Sequence, residues 1–244
     1  MHEIKVSLDR KEYQLKPTGN DAAKINSRIG NCITKLGNPA DLKRFMEDVG
    51  QRGCTFAPAT FRNGAKKTDD FEQMQLLVLD FDGGISCQEI CDRAKQYGLP
   101  VLSAYDTLSS KAHDRFRIMF LNDVPITDKR AAKIYKSALM EIFPEADKTD
   151  IDISKMYYGG KELLYFDDSI PVIDMESTLI HMTYYLKDKR GDTHYKRELK
   201  KFAKKHGIRL NKKGLLDISI MDNPTESMGT SDVGKNKEIP IIFY

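Results

Sequence analysis

The chain reads as an α+β protein: a mixed β-sheet backed by helices, with a basic helical appendage on its C-terminal side. Three observations predict this. Apolar stripes of helical period alternate with short apolar runs along most of the chain. One such run, within "LLVLDFDGG" at residues 76–84, is too apolar to keep an exposed face, so residues 74–82 form a central strand. Residues 187–213 hold twelve Lys or Arg against three Asp or Glu, a net +9. The rest of a chain that totals +3 therefore stands at −6.

Each element has its own signal. "MHEIKVSLDRKEYQLK" is charged and alternating, unlike a signal peptide. In "NPADLKRFMEDVGQRG" Asn38 caps a helix, Pro39 fits its first turn, and Leu42, Phe45, Met46 and Val49 share a face. "GCTFAPATF" gives a short strand and turn. "SCQE" at 86–89 is a capping box that opens a helix ended by Gly98 and Pro100. "VLSAY" and "RFRIMFL" are strands around a polar loop. Thr127 caps a helix through about Ile142, and "KMYYGG" and "ELLYFD" are strands around a glycine turn. Helices follow at roughly 174–187 and 192–206, the second with a narrow apolar stripe of Tyr195, Leu199, Phe202 and Ala203. From about 220 the sequence loses periodicity and reads as a flexible tail. The expected division is a main domain at 1–170, the helical basic appendage at 171–219 and the tail at 220–244.

Composition narrows the functions. With 40% hydrophobic and 31% charged residues, and no apolar run approaching ~18, no transmembrane helix or membrane partner is expected. Cys32, Cys54, Cys87 and Cys91 lack paired zinc-site spacing and read as reduced thiols of a cytoplasmic protein. The basic block suits a polyanion held through Lys196, Arg197, Lys200, Lys201, Lys204 and Lys205, although a solvated helix face would look the same. Tyr184, Tyr185 and Tyr195 could stack on bases or simply pack.

The chemistry gathers at the end of the central strand. Residues two apart in a strand face one side, so Asp80 and Asp82 project together while Phe81 enters the core. Two like charges so close call for a cation, and oxygen ligands call for a hard divalent one. Two chemistries use such a pair. In haloacid-dehalogenase-like phosphatases the first Asp is a nucleophile and the second a general acid. "VLDFDGG" resembles their signature, Ser103 could supply their serine, and "LLYFDDS" their late acidic pair. Against this, some seventy residues precede the motif and Gly84 replaces the usual Thr or Val. In two-metal nucleotidyl transfer, two carboxylates on one strand and a third from a neighbour hold two Mg²⁺ or Mn²⁺ ions, with cations between them for the phosphates.

Four stretches occur in order from about residue 50 to 161. They are the aromatic-rich "CTFAPATFRNGAKK", the Asp80-Phe81-Asp82 strand, "YDTLSSKAHDRFRIMF" and "EADKTDIDISKMYYGGK". Together they resemble the archaeo-eukaryotic primase superfamily, in the branch of primase-polymerases carried by phage, plasmids and integrated elements. The resemblance implies an RRM-like core and a DNA primase or polymerase using two Mg²⁺ or Mn²⁺ ions, nucleoside triphosphates and a single-stranded DNA template. A helicase encoded on the same element is a further implied partner. It implies Asp80, Asp82 and Asp147 as catalytic metal ligands, with Asp152 a further ligand and Asp150 crowding beside them. Ser110, Lys111, His113, Arg115, Arg117 and Lys155 become candidates for binding the nucleotide. Two departures stand out. Ser110 occupies the place where several relatives carry a phosphate-binding His, with His113 three residues on, and Lys155 stands where an Arg is usual. Arg115 and Arg117, two apart on a strand, are the expected triphosphate clamp. A catalytically silent module that binds single strands is the remaining alternative.

Overall fold

The protein is described by a computed structural model over residues 3–217, so the expected tail at 220–244 lies outside the described residues. In chain order the elements are β1 (Ile4–Asp9), α1 (Gly19–Arg28), β2 (Ile33–Leu36), α2 (Pro39–Gly50), β3 (Thr55–Ala57) and β4 (Ala59–Phe61). Next come β5 (Phe71–Phe81), α3 (Cys87–Gln96), β6 (Ser103–Thr107), β7 (Phe116–Ile126), α4 (Lys129–Ile142) and β8 (Gly160–Phe166). The last are α5 (Met175–His206), β9 (Arg209–Leu210) and β10 (Leu216–Asp217).

A five-stranded sheet in the order β4-β5-β7-β6-β8 carries the fold, beside a small β2-β1-β3 sheet and a β9-β10 pair. The fold is α+β as expected, but the sheet is not mixed: the ladders among the described residues are antiparallel. A helical crossover from β5 through α3 to β6 does bring in a strand running parallel to β5. β7 then inserts between the two, giving a split βαβ unit in which each neighbour is antiparallel.

The period-two rule divides the sheet between two cores. Leu77, Leu79 and Phe81 of β5, with Phe116, Ile118 and Phe120 of β7, pack against Ile90, Ile134, Leu139, Phe143 and Met182 from the helices and their flanks. Leu76 and Val78 face the other way with Met119 and Leu121, onto Val6, Leu8, Phe45 and Phe56 of the N-terminal layer. Asp80 continues that second face at the point where its apolar cover ends.

Local signals hold where side chain meets backbone. Asn38 accepts from the Asp41 amide, and Ser86 and Glu89 form the reciprocal capping box. The α4 cap is Asp128 and not Thr127: its carboxylate accepts from the Ala131 amide at 2.6 Å, and an acidic side chain is favoured at a helix N-terminus over a hydroxyl. "KMYYGG" does not form a strand. Tyr157 makes one isolated bridge to Phe56, and Gly159 then runs so close to Gly53 that an added Cβ would lie 2.3 Å from its carbonyl carbon. The two expected C-terminal helices are both present within α5, separated at Gly191, whose φ of 73° and ψ of 166° are non-helical and suit glycine. Beyond that break Leu199, Phe202 and Ala203 are buried, the first two within the main core, while the six basic candidates face outward.

Candidate active site

The end of β5 opens on Gly83 and Gly84, whose φ of +114° and +81° turn the chain away from the sheet. A cavity of about 210 Å³ lies there, lined by Asp80, Asp82 and Asp147 with Arg115, Arg117 and Lys155. Lys16, Thr107, Ser109 and Tyr158 complete its polar wall. The three acids arrive from different places. Asp80 ends the buried strand, Asp82 stands beyond it with its side chain 62% exposed, and Asp147 starts the 3₁₀ turn Lys148–Ile151. The main chain ties them together: the Asp147 amide donates to the Asp80 carbonyl at 2.8 Å.

Arg117 crosses to Asp80 on the neighbouring strand, where the two are register partners. Its Nη2 donates to Asp80 Oδ2 at 3.1 Å, and Nη1 donates to Tyr105 Oη and to the Tyr158 carbonyl. Arg117 Nε lies 2.9 Å from Asp80 Oδ1, but the pair is not aligned for a hydrogen bond, so Oδ1 is a buried carboxylate oxygen without one. Burial works against the guanidinium's charge. Tyr105 and Asp80 outweigh that and hold its pKa above the ordinary arginine value. The expected clamp is thereby divided. Arg117 is engaged with protein groups, and only Arg115, at 3.5 Å from Asp82 and 43% exposed, keeps a cationic head open to the cavity.

The crowded "DKTDID" acids separate by depth. Burial would raise the Asp147 carboxyl, but hydrogen bonds from Thr149 and Lys155 lower it to about 2. Asp150 is wholly buried, with its pKa raised by that burial. It accepts from the Asp80 amide at 2.6 Å, from Lys155 at 2.7 Å and from Tyr157 at 3.0 Å. It is a brace beneath the site. Asp152 turns away and accepts from the amide and hydroxyl of Ser154, so it is not brought to the cavity as a ligand. Lys155 bridges Asp147 and Asp150 and lies 3.9 Å from Asp80; burial depresses its ammonium, but the three carboxylates more than restore it. Lys136, which the sequence did not single out, lies fully buried under Tyr157 with its pKa lowered to about 8 by desolvation.

Ser110, Lys111 and His113 do not line the cavity. Ser110 hydrogen-bonds Asp114, and the Lys111 amide donates to the same carboxylate. His113 folds back, at φ 56°, onto buried Asp106 at 2.5 Å. Asp106, His113 and Glu162 bring ligand atoms within 4.8 Å of one another and could hold a metal ion. The phosphatase reading finds its parts scattered: Ser103 donates to the Tyr165 carbonyl, Asp167 accepts from Ser169, and Asp168 pairs with Lys43.

No helix among the described residues is long and apolar enough to cross a membrane. No protein-family model matches the chain, and no curated protein matches it. Among solved structures, the chain is similar to the AEP domain of the cyanophage S-2L primase-polymerase, at 10% identity over 62% of this chain and 80% of that one, with a TM-score of 0.41.

Proposed function

We propose that the chain is a primase-polymerase catalytic domain, a nucleotidyltransferase that starts or extends a strand on single-stranded DNA from nucleoside triphosphates. One observation carries this. Three carboxylates drawn from two distant segments line one cavity with four cationic side chains, in a chain whose four motifs resemble that superfamily.

The donor set suits Mg²⁺ or Mn²⁺: the oxygens are hard, and buried Asp80 Oδ1 lacks a hydrogen-bond donor. Asp80, Asp82 and Asp147 would hold the ions, which when bound supply activation of a 3′-hydroxyl and shielding of the leaving pyrophosphate. The chain's own residues do the rest. Arg117 and the Asp150 brace fix Asp80 before substrate arrives, so little reorganisation is left for the reaction itself. Lys155 keeps Asp147 ionised and aimed into the cavity. Arg115 offers a charge-assisted hydrogen bond to the phosphates, and Lys16 and Ser109 border the same space. The six exposed cations of α5 would track template phosphates without reading sequence.

Incubation with single-stranded template, labelled nucleotides and Mn²⁺ tests the reading. A product ladder is expected from the native chain and none from Asp82→Ala, whose exposed side chain can be removed without harm to the fold. Phosphate released from a phosphomonoester would instead favour the phosphatase. Template binding without products from the native chain would leave the silent module.

A further inference from the structure

A second group of ligating side chains, Asp106, His113 and Glu162, lies around the loop that joins β6 to β7 and is not among the residues lining the cavity. Asp106 and Glu162 are direct cross-strand partners on β6 and β8. Like charges placed opposite each other across an antiparallel pair repel. Asp106 is fully buried, its Oδ1 has no hydrogen-bond partner, and its Oδ2 meets only His113 Nδ1. A buried carboxylate left half-satisfied beside a second carboxylate is unfavourable unless a cation completes it. Nearby Lys161 does not serve, because its ammonium is turned to the Ser110 carbonyl.

From this geometry we infer that Asp106, His113 and Glu162 bind one divalent ion of borderline character, such as Zn²⁺. One imidazole nitrogen and two carboxylates within 4.8 Å form the mixed nitrogen and oxygen set that Zn²⁺ accepts, with a remaining position left for water. The three ligands belong to three different pieces of chain: the end of β6, the loop at 108–115 and the edge strand β8. The ion therefore staples that loop to the sheet. The same loop begins at Leu108 and Ser109 and ends at Arg115, all lining the cavity, so the staple would fix how the cavity wall is presented. Only that last consequence rests on the proposed function; the binding itself does not.

Calorimetric titration of the metal-free full chain with Zn²⁺ tests the site without any assay of activity. One tightly held ion per chain is expected at this site, distinct from weaker binding at the cavity carboxylates, with its affinity falling about ten- to hundredfold in Glu162→Gln and unchanged in Asp82→Ala. Zn²⁺ should also slow tryptic cleavage after Lys111 in the native chain and not in Glu162→Gln. Cobalt substitution guards against the four cysteines, since a thiolate charge-transfer band would show the metal bound there. No binding, binding unaltered by Glu162→Gln, or that band would each overturn the inference. A chain that binds Zn²⁺ as expected but makes no product would sink the proposed function and leave this site standing.

Discussion

Asp80 shows how much a single residue depends on partners far away in the chain. Its side chain meets Arg117, its amide donates to Asp150 and its carbonyl accepts from Asp147. Removing one member of a buried charged network leaves the others uncompensated, typically at a cost of about 3–5 kcal/mol. Asp150→Ala should therefore lower stability to urea by that order at pH 7, although Asp150 does not line the cavity. Acid should act through Asp147. Its folded pKa of about 2 lies below the ordinary carboxylate value, so it binds fewer protons folded than unfolded as the pH falls. The stability it contributes is complete above about pH 5 and is lost as pH falls toward about 2. Asp147→Asn should lose that part of the pH dependence in urea titrations between those limits. That Asp80 and Asp82 reach one cavity was legible from their spacing, although the strand itself stops at Phe81 and leaves Asp82 beyond it. Choosing among Asp147, Asp150 and Asp152 was not, because a 3₁₀ turn aims them in three directions and only tertiary packing decides which reaches the cavity.

At the scale of elements, β7 sorts two arginines that look alike in sequence. Arg117 is held by Asp80, Tyr105 and Tyr158, whereas Arg115 precedes the strand and remains open. Arg115→Ala should raise the apparent nucleotide KM about ten- to hundredfold with the fold intact, since a charge-assisted hydrogen bond is worth ~1.5–3 kcal/mol. Arg117→Ala should fail first in stability, by about 3–5 kcal/mol in denaturant titration. Gly191 sets a second test. Its backbone angles are open almost only to glycine, and no neighbour crowds it, so Gly191→Ala should cost about 1–3 kcal/mol in strain alone. The caps at Asn38 and Ser86 and the alternation along β5 were readable because they are local, whereas the α4 cap lay one residue beyond its expected place. The strand β1 is harder to read: its alternating Ile4, Val6 and Leu8 lie among charges, and its pairing with β2 and β3 depends on chain far beyond it.

The whole molecule places its mixed-charge cavity and its basic helix on separate supports. The cavity sits at one end of the five-stranded sheet, while Lys196, Arg197, Lys200, Lys201, Lys204 and Lys205 decorate the outer face of α5. Replacing those six by Gln should weaken single-strand binding and flatten its salt dependence. The slope of log K against log salt should fall by ~0.7 for each phosphate the helix no longer neutralises. Nucleotide binding at the cavity should not change, as equilibrium dialysis at fixed salt would show. An unaltered slope would assign the lysines to solubility. Charge segregation and the α+β class were visible in composition and periodicity. The strand order was not, because the insertion of β7 between β5 and β6 leaves no local trace.

The hydrogen bonds that radiate from Asp80 also bear on how the protein reaches its native state. They join residue 80 to residues 117, 147 and 150, pairings of high sequence separation that become favourable only after long loops have closed. No half-formed sheet can hold the cavity's acids in place. Refolding should accordingly be slow for a chain of this helix content, and the tyrosine signal of buried Tyr105 and Tyr157 should recover with the same time constant as nucleotide binding. A ribosome-bound chain truncated before residue 147 would have β5, β7 and the Arg117 contact to Asp80, but neither Asp147 nor Asp150 to complete the site.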